Sequence, residues 1–149
     1  MPGRKAVPIL VFVLAVLAGA PGVVRGEEVA LLNQLGVGVA YIDTEDDATI
    51  YLWCGVPAAY LDGDTIYGFN GRHLGWFEEG IVRGERGKRV GYTEETIGSV
   101  GQTARVTRVK GVKQPKLPPV PPTPPLPKPP YTDIDSPVPL GDLLRMGRP

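Results

Sequence analysis

Between Ile50 and Glu94 the chain runs in short stretches of bulky apolar residues, broken at regular intervals by glycine. Tyr51-Leu-Trp53 is followed by Cys54-Gly55, and Tyr67-Gly-Phe69 by Asn70-Gly71. Aromatic-rich runs of this length read as strands. Asn-Gly reads as a tight hairpin turn, because both residues tolerate the positive φ such a turn needs. Asp62-Gly63-Asp64 and Glu78-Glu79-Gly80 mark a second, looser class of turn. The pattern predicts strand, tight turn, strand, looser turn, repeated in series with little room for helix.

The unit recurs about every 16 residues and reads glycine, two variable residues, apolar, Ala or Gly, aromatic, variable, acid. Its copies start at Gly36, Gly55, Gly71 and Gly87 and end on Asp43, Asp62, Glu78 and Glu94. A unit this small cannot bury its apolar face alone, so the copies must pack on one another. The fold expected is all-β, a serial antiparallel array of four packed β-hairpin repeats. Strict alternation assigns Val39/Tyr41, Ala58/Tyr60, Leu74/Trp76 and Val90/Tyr92 to the core face. It turns the small residues Ala40, Ala59, Gly75 and Gly91 the other way, where backbones or a second layer approach closely.

The flanks read differently. Residues 27–35 fit a short strand or one helical turn. Ala104-Arg-Val-Thr-Arg-Val109 alternates and reads as one more strand, placed to close the array and hide its edges. Ten of the 17 prolines fall between Pro115 and Pro130. Such a run cannot donate ladder hydrogen bonds, so residues 113–149 are expected to form a disordered or polyproline II tail. It is read as a stiff spacer that carries a terminal apolar segment, Pro139–Met146, as a docking peptide. The PxxP spacing within it is of the kind aromatic grooves recognise. At the other end, Arg4 and Lys5 precede an apolar stretch too short to span a bilayer. Residues 1–26 are therefore read as a signal peptide, cleaved after Gly26. That reading makes the chain exported, periplasmic or secreted, with no membrane span once the signal is removed. The repeats then occupy 27–112.

Charge adds an exclusion. Lys+Arg and Asp+Glu balance at 16 each, which gives no basic surface for nucleic acid. A single cysteine, Cys54, rules out an internal disulfide framework.

The stretch from Ile50-Tyr-Leu-Trp53 through Ala59-Tyr-Leu-Asp62 to Tyr67-Gly-Phe-Asn-Gly-Arg-His-Leu-Gly-Trp-Phe-Glu78 resembles the four-fold beta flower domain. The resemblance covers about residues 36–112. It implies four hairpin petals around a pseudo-four-fold axis, with no established activity and no assigned catalytic residues. The copy at Gly87 departs from the pattern, since Gly84-Glu85-Arg86 replaces the apolar start, and an irregular petal is expected there.

Candidate chemistry is sparse. Asp43, Asp62, Glu78 and Glu94 would form a ring under the symmetry, but solvated turn carboxylates explain them without a cation, so no metal is assigned. His73 is the lone histidine, and parity puts it on the small-residue face with no nucleophile at a defined spacing. Trp53, Tyr67, His73 and Trp76 are the binding candidates, with the aromatics serving first as core and then as a stacking surface. Cys54, at a hairpin tip, is the candidate for an intermolecular disulfide and a weak oligomer. No cofactor fingerprint or catalytic motif occurs. The sequence therefore reads as a non-enzymatic binding or structural module, its partner an unidentified protein or cell-envelope component. The alternative is a small enzyme or small-ligand site around His73 and the aromatics.

Overall fold

The structure is a computed structural model that describes residues 27–106 and 108–149. The expected signal segment, 1–26, lies outside the described residues. Eight strands follow in order: β1 (Glu28–Leu32), β2 (Gly38–Asp43), β3 (Thr49–Leu52), β4 (Pro57–Asp62), β5 (Thr65–Gly68), β6 (His73–Glu78), β7 (Ile81–Gly84) and β8 (Arg89–Tyr92). Each pairs antiparallel with the next, and Leu32 of β1 meets Tyr92 of β8, so the sheet closes into a barrel. Residues 27–35 thus supply the closing strand. Among the described residues the Ala104–Val109 segment supplies no strand, and Arg105 forms an isolated bridge to Val37.

Hairpins β1–β2, β3–β4, β5–β6 and β7–β8 are the four petals. Their tight turns hold Gly36, Gly55, Gly71 and Gly87 at φ of 84°, 96°, 84° and 79°, where a side chain is strained. The fourth petal, expected to be irregular, has the same turn and register as the others.

The core-face assignment is corrected by a defect that all four petals share. Ile50 faces Ala59, but its neighbour Tyr51 faces Pro57, which leaves Ala58 unopposed. Leu74, Val90 and Val39 are skipped in the same way in the other petals. Each is a β-bulge, where two residues of one strand oppose one of its partner. The extra residue breaks the period of two. Ala58, Leu74 and Val90 therefore turn inward together with Ile42, Ile50, Ile66 and Val82. The aromatics Tyr41, Tyr51 and Trp53 belong to a separate cluster on the outer wall. The small residues face the crowded interior. A Cβ on Gly75 would lie 2.1 Å from the Arg83 carbonyl oxygen.

The C-terminal third neither extends away as a spacer nor holds its last segment apart. Residues 103–106 and 108–138 run as a strap along the rim of tight turns. Backbone N–H groups of Arg105, Gln114, Thr123 and Thr132 donate to the carbonyls of Gly36, Gly55, Gly71 and Gly87 at 2.7, 2.9, 2.9 and 3.2 Å. The donors stand nine residues apart, so the strap is itself a repeat, in register with the petals. The strap then turns into α1 (Leu140–Arg145), entered through Pro139. Leu140 and Leu144 are fully buried and join the interior cluster with Leu143. Their i, i+3, i+4 spacing makes one apolar stripe, which plugs the barrel. A Cβ on Gly91 would meet Leu140 Cδ2 at 2.8 Å, so the small positions also make room for the plug.

The contact between turn and strap can be isolated by comparing two glycines. A Cβ at Gly55 would fall 2.0 Å from the Val112 carbonyl oxygen, whereas one at Gly63 (φ 64°) meets nothing within 4 Å. Gly63→Ala is expected to cost about 1 kcal/mol of backbone strain. Gly55→Ala is expected to cost about 2–5 kcal/mol, because the strap must also move. Urea unfolding of both variants checks this; equal losses would mean that the strap does not lie over the turn.

Candidate functional site

The outer-wall aromatics form two groups. Tyr41 stacks on Tyr51 at 5.6 Å and meets Trp53 edge-on at 6.0 Å. The strap covers this group: Lys110 Nζ lies 4.4 Å from the Tyr41 ring centroid, and Trp53 Nε1–H donates to the Arg108 carbonyl at 3.1 Å. The second group runs Tyr60, Tyr67, His73, Trp76, with His73 only 4.7 Å from Trp76. Tyr131 of the strap closes over Trp76 at 6.5 Å, and Arg83 lies against Tyr131 at 4.5 Å. Three of the four residues proposed from sequence thus come together, with Trp53 in the other group. All four are buried, so they present no open stacking surface.

His73 pairs across the sheet with Tyr67 and shares its outer face, not the small-residue face, because the bulge at Leu74 reverses the parity. Among the described residues neither ring nitrogen meets hydrogen-bond geometry, and the Gly75 backbone only weakly favours its charged form. Burial pushes its pKa below the ordinary 6.5, and the nearby Glu85 carboxylate opposes that shift. A ring with no partner for either nitrogen has nothing to orient it as a general base. Cys54, the candidate for an intermolecular disulfide, is exposed.

The acidic corners have a structural role. Lys113 binds Asp43 at 2.5 Å, Lys116 binds Asp46 at 2.7 Å, and Lys128 bridges Asp64 and Glu78. Hydrogen bonds from Lys116 and the Tyr51 hydroxyl hold the Asp46 carboxyl below its usual range. Hydrogen bonds involving Glu78 and Lys128 bring Asp64 down to about 2. Two of the four repeat acids, Asp43 and Glu78, therefore anchor the strap, while Asp62 and Glu94 stay exposed. Among the described residues no group of three or more His, Cys, Asp or Glu is placed to hold a metal ion.

An open concave feature borders this row at His73. A cavity of about 380 Å³ sits between the third and fourth petals, under the end of the strap and α1. Leu74, Val90, Val138, Leu143 and Met146 give it apolar walls. Arg72, Glu85, Arg86 and Lys88 surround it from the two tight turns. Among the described residues these four side chains form no ion pair, in contrast to the strap lysines. The size and the mix of apolar walls with a few polar groups are those of a small-molecule site. The sequence pointed to one lining residue, His73, and concealed the rest, because Ser136, Pro137, Val138, Leu143 and Met146 come from a segment read as a spacer. Arg72, Arg86 and Lys88 looked like ordinary turn residues.

A family model for the 4-fold beta flower protein matches residues 29–140. The match covers most of the chain, and the protein belongs to that family. It extends beyond residue 112, so much of the strap falls within the family unit and not outside it. Comparison with curated proteins finds no match, and neither does comparison with solved structures.

The orphaned imidazole gives a pH-dependent expectation. Its folded pKa lies below 6.5, so the unfolded chain takes up the proton first. The stability of the neutral ring is present above that value and is lost as pH falls through it. Leucine, similar in volume and without polar atoms, removes both effects. His73→Leu is expected to be about 1 kcal/mol more stable than the parent at pH 7. The gap should widen between about pH 7 and pH 5. Thermal unfolding across that range measures it; a destabilised variant with an unchanged pH slope would show that the ring nitrogens have partners.

Proposed function

We propose that this chain is an exported, non-enzymatic binding module whose ligand occupies the rim cavity between the third and fourth petals. The carrying observation is the cavity itself: apolar walls, charged side chains at the turns that form no ion pair among the described residues, and about 380 Å³ of space. The aromatic row is a weaker candidate because the strap already lies on it. Catalysis has little to build on: His73 lines the cavity, but among the described residues no hydrogen bond orients its ring. Export rests on the positive and apolar character of residues 1–26. In this reading the strap is no spacer. It completes the binding site by bringing Ser136–Val138 and α1 over the petals.

Gly84 lines the cavity, and a Cβ there would meet only Val90 Cγ2, at 3.4 Å. Gly84→Leu should therefore fill the site and spare the fold. The neutral apolar dye N-phenylnaphthylamine is expected to brighten with the parent chain and to lose about 90% of that signal with the variant, a tenfold loss of affinity. Equal brightening would place dye binding outside the cavity. N-terminal sequencing of the exported protein should begin at Glu27.

A further inference from the structure

We infer that the ligand of the rim cavity is an anionic amphiphile, a single carboxylate carried on an apolar chain. The inference rests on the cavity being the binding site, and it adds the ligand class. The walls set the apolar half: Leu74, Val90, Leu143 and Met146 come from two strands and the plug helix with its C-cap, and none carries a charged group. The rim sets the polar half. Arg72 leads out of the third petal's tight turn, and Arg86 and Lys88 flank Gly87 in the fourth. These three cations converge from two petals on one opening, with Glu85 the only acid beside them. The opening is therefore net positive.

The contrast with the strap is informative. Wherever Lys113, Lys116 and Lys128 approach the petals, an Asp or Glu meets them. At the cavity the same protein leaves three cations that form no ion pair among the described residues, with one carboxylate, Glu85, beside them. A guanidinium presents a planar fork of donors that matches a carboxylate in two parallel hydrogen bonds. A headgroup there would gain those bonds at the surface while its chain left water for the apolar walls. A cationic amphiphile would meet repulsion, and a neutral one would gain only the burial.

Three probes with the same tail separate these cases: octanoate, octanol and octyltrimethylammonium, each titrated calorimetrically into the full chain. Octanoate is expected to bind about tenfold more tightly than octanol, and the ammonium compound not measurably. The triple variant Arg72→Gln, Arg86→Gln, Lys88→Gln should reduce octanoate to the octanol level. It should still brighten N-phenylnaphthylamine, which shows that fold and cavity persist. Octanol binding as tightly as octanoate, or the ammonium compound binding best, would overturn the anionic class and leave the cavity reading standing. If no probe binds and the dye does not brighten with the parent chain, both fall.

Discussion

The structure depends on the contact between the tight-turn glycines and the strap backbone. Each petal brings a glycine at positive φ to the same rim, and each glycine carbonyl receives an N–H from the strap. The absence of a side chain matters twice. It permits the turn, and it lets the strap carbonyls of Thr103, Val112, Pro121 and Pro130 approach to where a Cβ would stand. A four-petal sheet thus presents four equivalent acceptors, and a chain with matching donors every nine residues can be laid across them. The hydrogen bonds are modest one by one, about 1 kcal/mol each. The ion pairs of Lys116 and Lys128 are partly exposed and contribute less. The buried leucines of α1 contribute more than either, since each removes a full apolar side chain from water. The strap fixes the register, and the plug helix holds it in place.

Closure of the barrel depends on this arrangement too. Strand β1 meets β8 through a single residue pair, Leu32 with Tyr92. The interior is filled by Leu140, Leu143 and Leu144 from the far end of the chain. The rim cavity exists only because the strap leaves the turn of the fourth petal and dives inward as α1, leaving space walled by Val138 and Leu143.

The repeat, the hairpins, the turn classes and the all-β architecture were legible in the glycine and aromatic spacing. The faces were not. A bulge adds one residue without any compositional mark, and Ala58, Leu74 and Val90 look like ordinary alternating positions. One extra residue reverses every assignment on that side of it, which is why the tyrosines, read as core, form the outer wall. The strap was hidden for a different reason. Its donors, Arg105, Gln114, Thr123 and Thr132, follow no side-chain pattern, because the contact common to all four is the backbone N–H; Thr123 alone adds its hydroxyl, to the Gly71 carbonyl. Proline density masked the nine-residue period by suggesting a solvated rod. The Pro139–Met146 segment did carry its signal: Leu140, Leu143 and Leu144 have helical spacing, and their role waited only on knowing what they pack against. The cavity was the least legible part, since its walls come from petal and tail together.

Amide hydrogen exchange on the intact chain tests the central claim most directly. The strap N–H groups of Arg105, Gln114, Thr123 and Thr132 should be protected, while unbonded neighbours such as Leu126 exchange freely. Slow exchange at those four positions, nine residues apart, is the expected result. Uniformly fast exchange across residues 103–138, with the β-strand amides still protected, would contradict it and return the segment to a free tail.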